Sequence, residues 1–276
     1  MKPSVAPASV RLFLLLAALA CPGCALLGPD WQEAAPATIA SSFAPFREQR
    51  IGGEDAEAFM RRRTATLLGG VETLHVLAEG GRITSSTVFE TDDPVSLSTL
   101  TRTGVQGAAA AISADGYYLT AAHDLSLGPV HLVIEAGGEV HSAPARVVWT
   151  DADVDVALLH AKLQPETFFA LVPDRELEEG EVVLSFSHML GAAAGQLQED
   201  VDLPDEGDYV ALTLPHSTPL RRGFSGAPAI TLDGELLGVD TSTGWATIFT
   251  RRSWMARVRP ARLRELIEDD RRRQAR

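Results

Sequence analysis

A serine set between glycines and closed by a proline, Arg222-Gly223-Phe224-Ser225-Gly226-Ala227-Pro228, is the stretch of this 276-residue chain best suited to covalent chemistry. Glycines let the backbone fold tightly, so that the Ser225 hydroxyl stands clear and nearby N–H groups aim at one spot. A serine hydroxyl is a weak nucleophile, and it attacks a carbonyl only with a base and a group that orients the base. Two upstream stretches offer these, Thr120-Ala121-Ala122-His123 and Asp155-Val156-Ala157-Leu158-Leu159. Each motif alone is weak. Histidine, aspartate and serine in that order, each in fitting local context, together specify base, orienting acid and nucleophile.

The elements that must hold these groups are legible around them. From about residue 71, short runs rich in Val, Thr, Ile and Phe alternate with Gly, Asp and Pro turns. Strands are expected over 74–78, 82–89, 107–113, 117–120, 130–136, 145–149 and 157–161, and a second set over 182–187, 209–214, 227–231, 236–241 and 246–249. Ser113-Ala114-Asp115-Gly116 and Leu232-Asp233-Gly234-Glu235 are hairpin turns with Gly where positive φ is needed. Many short strands at this spacing mean an all-β barrel or sandwich. Residues 165–173, with a proline at each end, divide the strands into two halves. Ahead of them, 54–68 reads as a helix through Ala56, Phe59, Met60 and Leu67, stopped by Gly69-Gly70. Pro260 opens a last helix with Leu263, Leu266 and Ile267 on one face. Arg271-Arg272-Arg273 near its end favours the helix macrodipole.

Composition narrows the function classes. Apolar content is 45% and charged content 22%, as in a folded globular chain. A net charge of −13 argues against nucleic acid as a partner, because phosphate binding needs a basic face. Lys2 and Arg11 precede or open an apolar run, Leu12 to Ala20, that is too short to span a bilayer. Residues 1–20 read as a secretory signal peptide, with Ala18-Leu19-Ala20 as a small-x-small cleavage site. The two cysteines, Cys21 and Cys24, sit at this junction, and an apolar run ending in Ala-Cys resembles a bacterial lipoprotein signal. Cys21, or less well Cys24, would carry the lipid, placing the chain in the cell envelope by an N-terminal membrane attachment; plain secretion to the periplasm or outside is the alternative. Residues 21–70 read as linker and N-terminal extension. The body beyond them has no cysteine, so no internal disulfide can hold it.

The segment from Gly107 to His123, Gly-Ala-Ala-Ala-Ala-Ile-Ser-Ala-Asp-Gly-Tyr-Tyr-Leu-Thr-Ala-Ala-His, resembles the histidine segment of trypsin-like serine proteases, nearest to the bacterial HtrA/Deg branch. Asp151-Ala-Asp-Val-Asp-Val-Ala-Leu-Leu159 is similar to that branch's aspartate segment. Arg222 to Pro228, followed by Asp233-Gly-Glu-Leu-Leu-Gly-Val-Asp-Thr241, is similar to its serine segment. The likeness covers about 104–268 and is weakest over 189–214. It implies the chymotrypsin fold: all-β, two six-stranded antiparallel barrels, here 71–164 and 165–257, then a C-terminal helix over 258–276. It implies His123 as general base and then acid, Asp155 as its orienting acid, Ser225 as nucleophile, and the backbone N–H groups of Gly223 and Ser225 as the oxyanion hole. The expected activity is endopeptidase cleavage of a protein or peptide substrate through an acyl-enzyme, with no cofactor or metal, falling as His123 is protonated. The PDZ domain common in the HtrA branch is expected to be absent.

The chain departs from that pattern in places. Phe224 replaces the usual Asn or Asp, with its side chain expected to point away from the chemistry, and Ala227 replaces a usual Gly. Arg221-Arg222 replaces the Asn-Pro of the HtrA branch. These arginines could let an acidic partner set the conformation of the loop, against the plainer reading of two solvated charges. Pro219 stands where trypsins place a pocket-floor acid, so a preference for basic side chains is not expected. The rival reading is a pseudoprotease that keeps the fold and triad, never organises the oxyanion loop, and serves as an envelope binding or scaffold protein. An α/β-hydrolase would need Gly at 227 and the order Ser, Asp, His. Asp151, Asp153 and Asp155 imitate a calcium loop, but Val156 and Lys162 stand where Gly and Glu are required. His75, His131, His141, His160, His188 and His216 show no metal-ligand spacing. His188 and His216 fall near the expected cleft, as candidates for substrate contact. Trp31, Trp149, Trp245 and Trp254 are expected to fill core or interface.

Overall fold

The computed structural model describes residues 50–69, 76–79, 82–85, 105–136, 139–199, 210–245 and 251–276. Cys21, Cys24, His75 and the strand expected over 246–249 lie outside them. A short ribbon of β1 (Arg50–Ile51) and β2 (Glu54–Asp55) leads into helix α1 (Ala56–Arg61), whose start is capped by Asp55 Oδ1 accepting the Ala58 N–H at 3.1 Å. The helix is shorter than the sequence suggests. The chain leaves it before Thr64 and enters strand β3 (Thr64–Gly69), which pairs on both sides within the first barrel. Tertiary pairing overrides the helical spacing here. Thr64 to Leu68 are all buried, so the strand shows no alternation that a sequence could display. The barrel therefore takes in residues ahead of 71, where the sequence put its start.

A hairpin of β4 (Val76–Glu79) and β5 (Arg82–Ser85) stands outside the barrel. Then follow β6 (Val105–Ala111), β7 (Tyr117–Ala121), β8 (Val130–Ala136), β9 (Glu139–Asp151) and β10 (Val156–Ala161). With β3 they close an antiparallel barrel in the order β10-β7-β6-β3-β8-β9. Leu67, Tyr118, Leu132 and Leu159 fill it.

The second half comprises β11 (Val182–Ser187), β12 (Gly191–Gln196), β13 (Ala211–His216), β14 (Pro228–Ile230), β15 (Leu236–Trp245) and β16 (Arg251–Val258). These form one antiparallel sheet ordered β12-β11-β14-β15-β16-β13. Its two edges meet at a bridge between Leu197 and His216, where Ser217 N–H donates to Gln196 O at 2.9 Å and Gln198 N–H to Pro215 O at 3.1 Å. The second barrel is thus a sheet curled until its edges touch, with Val183, Leu214, Leu237 and Met255 inside. The architecture is that of the chymotrypsin fold.

A third apolar cluster joins the halves: Leu119 and Leu158 of the first barrel with Leu184, Phe186 and Val239 of the second. Helix α2 (Pro260–Gln274) buries Leu263, Leu266 and Ile267 in the same cluster. Each such side chain contributes about 1.5–3 kcal/mol when removed from water. Polar contacts fix the helix further. Arg271 grips Asp115 through Nε and Nη2, at 2.8 and 2.7 Å. Buried Asp270 accepts from Tyr117 Oη at 3.0 Å and from Arg146 at 3.0 and 2.6 Å. The arginine run therefore does more than balance the helix dipole, because Arg271 ties the helix to the β6–β7 turn. Among the described residues, no helix is long and apolar enough to cross a membrane.

Candidate active site

Pairing register brings the first two groups together. β10 runs antiparallel to β7 with Val156 opposite Ala121. Asp155 is the last residue before β10, and His123 sits two residues beyond Ala121, in a 3-10 turn over Ala122–Leu127. The Ala122 N–H donates to Asp155 O at 3.2 Å. Asp155 is the only non-glycine with positive φ among the described residues, at 61°. That conformation is disfavoured for a residue with a Cβ and persists where its surroundings enforce it. Its carboxylate is used twice: Oδ1 accepts the His123 N–H at 2.8 Å, and Oδ2 lies 2.7 Å from His123 Nδ1. Asp151 shapes the preceding turn, accepting the N–H groups of Asp153 and Val154.

The third group arrives from the β13–β14 loop. His123 Nε2 lies 2.9 Å from Ser225 Oγ. A carboxylate can only accept, so Nδ1 carries the proton, and the neutral ring presents Nε2 to the serine hydroxyl as an acceptor. The hydrogen bond with Asp155 raises the His123 pKa; burial works against this, and the charge of Asp124 adds to it.

Two successive turns aim the serine. Phe224 N–H donates to Arg221 O at 3.0 Å and Ala227 N–H to Phe224 O at 2.9 Å. The second central residues are Gly223 at φ 104° and Gly226 at φ 73°, the sign that a type II turn requires. Flipping the peptide between Arg222 and Gly223 would convert the first turn to type I and reverse the Gly223 N–H. Ser187 Oγ donates to Gly223 O at 2.7 Å and holds the next peptide. Among the described residues neither the Gly223 nor the Ser225 N–H donates within the protein.

The departures find plain places. Phe224 is buried with Ala108, Ala193, Leu220 and Ala227. Arg221 and Arg222 line a cavity of about 230 Å³ beside Ser225, with Leu220, Phe224, Asp240, Thr241 and Ser242. Asp240 is an acid that sequence reasoning missed. It is fully buried, its Oδ1 lies 3.2 Å from Nε2 of the equally buried His216, and burial pushes its carboxyl up. His216 is therefore a partner of the cavity wall. His188 is turned elsewhere, with Nε2 2.8 Å from Thr64 O and its ring edge-on to Phe186. Asp124, also missed, lies beside the imidazole, and burial pushes its carboxyl up to about 6. The one sequence signal for Asp124 is its adjacency to His123; Asp240 could be found only as the Asp within Gly-Val-Asp-Thr.

Residues 103–239 match the family model of the trypsin-like peptidase domain. The chain is similar to a DegP-like periplasmic serine endoprotease of Chlamydia pneumoniae, 23% identical over 147 residues, which covers 50% of this chain and 29% of that protein. It is 27% identical over 149 residues to a protein of the same description from Rhizobium meliloti, covering 51% and 28%. The chain thus spans less than a third of the length of these relatives. Among solved structures it is similar to the apo MamO protease domain of Magnetospirillum magneticum, with a TM-score of 0.46 and 18% identity over 71% of this chain and 92% of that one.

Proposed function

We propose, from a chain whose residues 103–239 match the family model of the trypsin-like peptidase domain, that it is a serine endopeptidase with Ser225 as nucleophile, His123 as base and Asp155 as orienting acid. The observation that carries this is the unbroken relay of 2.7 Å from Asp155 to His123 and 2.9 Å from His123 to Ser225. Ser225 Oγ attacks the scissile carbonyl while its proton passes to His123 Nε2. Asp155 stabilises the imidazolium, which then gives its proton to the departing amine, leaving an acyl group on Ser225. Water, deprotonated by the same nitrogen, releases that acyl group. The Gly223 and Ser225 N–H groups would hold the developing oxyanion, each contributing about 3 kcal/mol in the transition state.

A serine-reactive phosphonate tests this. Labelling of the wild type that vanishes in Ser225→Ala supports the peptidase; well-folded protein that never labels is the silent scaffold instead. For location, residues 1–20 and Cys21 support export followed by lipid attachment in the envelope. Incorporation of labelled palmitate in a bacterial host, lost in Cys21→Ala, is the expected result; no incorporation leaves secretion without an anchor.

A further inference from the structure

The residue after His123 is an acid, and the 3-10 turn folds it back onto the ring. Asp124 Oδ1 lies 3.4 Å from His123 Nε2, the same nitrogen that faces Ser225 Oγ. The Asp124 side chain is only 6% exposed, whereas that of His123 is 48% exposed. Its other oxygen, Oδ2, has no hydrogen-bond partner. The carboxylate is wedged against Gly107 of β6, where a Cβ would lie 2.2 Å from Asp124 Oδ2 and 2.9 Å from Ser225 O.

An ionised carboxylate, buried with one oxygen unsatisfied and facing the lone pair of a neutral imidazole, is an unfavourable arrangement. One proton relieves it, either on Nε2 as an imidazolium beside a carboxylate or on Asp124 as an acid facing the bare nitrogen. In either placement the proton occupies the lone pair that Ser225 needs. Two carboxylates face the ring: Asp155 from the turn before β10, and Asp124 from the ring's own turn. The second barrel presents the neutral Ser225, and β6 presents Gly107.

We propose that Asp124 is a positioning residue, a second carboxylate partner of His123 that retains a shared proton at Nε2 and so sets the pH at which this base becomes free to act. Asp155 holds the outer nitrogen throughout the cycle; Asp124 acts on the inner one, and only while it is protonated. The kinetic consequence rests on the peptidase reading, but the proton inventory does not.

The experiment is nitrogen NMR of the labelled imidazoles of the full chain, titrated in wild type and in Asp124→Asn, beside kcat/KM over the same pH range. The amide keeps the shape and removes the charge. The His123 midpoint is expected to fall by about one pH unit, raising activity about tenfold on the acid limb and little at the alkaline plateau. A loss of packing alone would lower activity at every pH. An unchanged or raised midpoint overturns the proposal. If the variant does not fold, the wild type decides: coupled carboxyl and imidazole steps at His123 support the shared proton, and a single step overturns it. A chain that the phosphonate never labels would sink the peptidase reading while leaving the NMR result valid.

Discussion

The backbone N–H of Ala108 donates to the carbonyl of Ser225 at 2.7 Å. Ala108 belongs to the first barrel and Ser225 to the loop of the second, so the serine is fastened to the half that carries His123. The Gly226 N–H is fixed in turn to Asp240 O at 2.7 Å within the second barrel. The serine is held from both sides by main chain.

Gly226 is where this fastening is most easily broken. A Cβ there would meet Ala108 O at 2.1 Å and Thr120 Oγ1 at 2.2 Å, and φ is 73°. One of the obstructing atoms is backbone and cannot yield without opening the barrels. Gly226→Ala is therefore expected to destabilise the fold by about 3 kcal/mol or more and to abolish phosphonate labelling. Thermal unfolding and labelling at equal protein concentration check it, and a variant with wild-type melting and labelling contradicts the fastening.

Gly223→Ala should separate stability from catalysis. Here the Cβ would meet the Met189 methyl at 2.1 Å, the far end of a flexible side chain that can move aside. The cost is chiefly φ 104°, about 1–2 kcal/mol, which flipping the preceding peptide would relieve. A flipped peptide turns the Gly223 N–H away from the oxyanion. The expected result is a small change in Tm, with kcat reduced about 10²–10³-fold and KM little altered.

The His, Asp and Ser segments and the two sets of strands could be read because their signals are local: a turn, an apolar run, a serine between glycines. What escaped reading depends on contacts made at a distance. β12 is Gly-Ala-Ala-Ala-Gly-Gln, without a β-branched residue, and is a strand because β11 pairs with it along its whole length. β16 carries Arg257, which looks like a surface residue but is buried. Its guanidinium donates through Nη1 to Leu237 O and through Nη2 to the carbonyls of Val172 and Pro173, and so ties the link between barrels to the second sheet. Asp124 and Asp240 escaped for the same reason, since an acid's burial is not written in its neighbours.

Fold and activity should respond to pH in opposite directions at His123. Its folded pKa is raised above the ordinary 6.5, first by the Asp155 hydrogen bond. The stabilisation this gives is fully present below pH 6.5 and is lost as pH rises through the folded value. Catalysis needs the neutral ring, so kcat/KM should rise over that interval, with its acid limb centred above 6.5. Asp155→Asn loses the acceptor that fixes the tautomer and should lower kcat about 10⁴-fold. Activity that is flat between pH 5 and 8 would rule out His123 as the base.

Asp270 tests how the last helix is held. Burial opposes its ionisation, but hydrogen bonds from Arg146, Gln274 and Tyr117 outweigh it and hold the carboxyl well below the usual range. With the folded value depressed, its contribution is present above about pH 4 and fades as acid protonates it. Arg146 is half exposed, which discounts the ion pair, whereas the Tyr117 hydroxyl would lose its acceptor inside the fold. Asp270→Ala should then cost about 2 kcal/mol and lower Tm by about 4–8 °C at neutral pH. The gap from wild type should narrow below pH 3. Because this contact lies behind the first barrel, on the β7 residue Tyr117 and the β9 residue Arg146, the variant should keep its kcat/KM at temperatures where it is folded. A loss of turnover without a loss of stability would mean that the helix reaches the triad by a route these contacts do not contain.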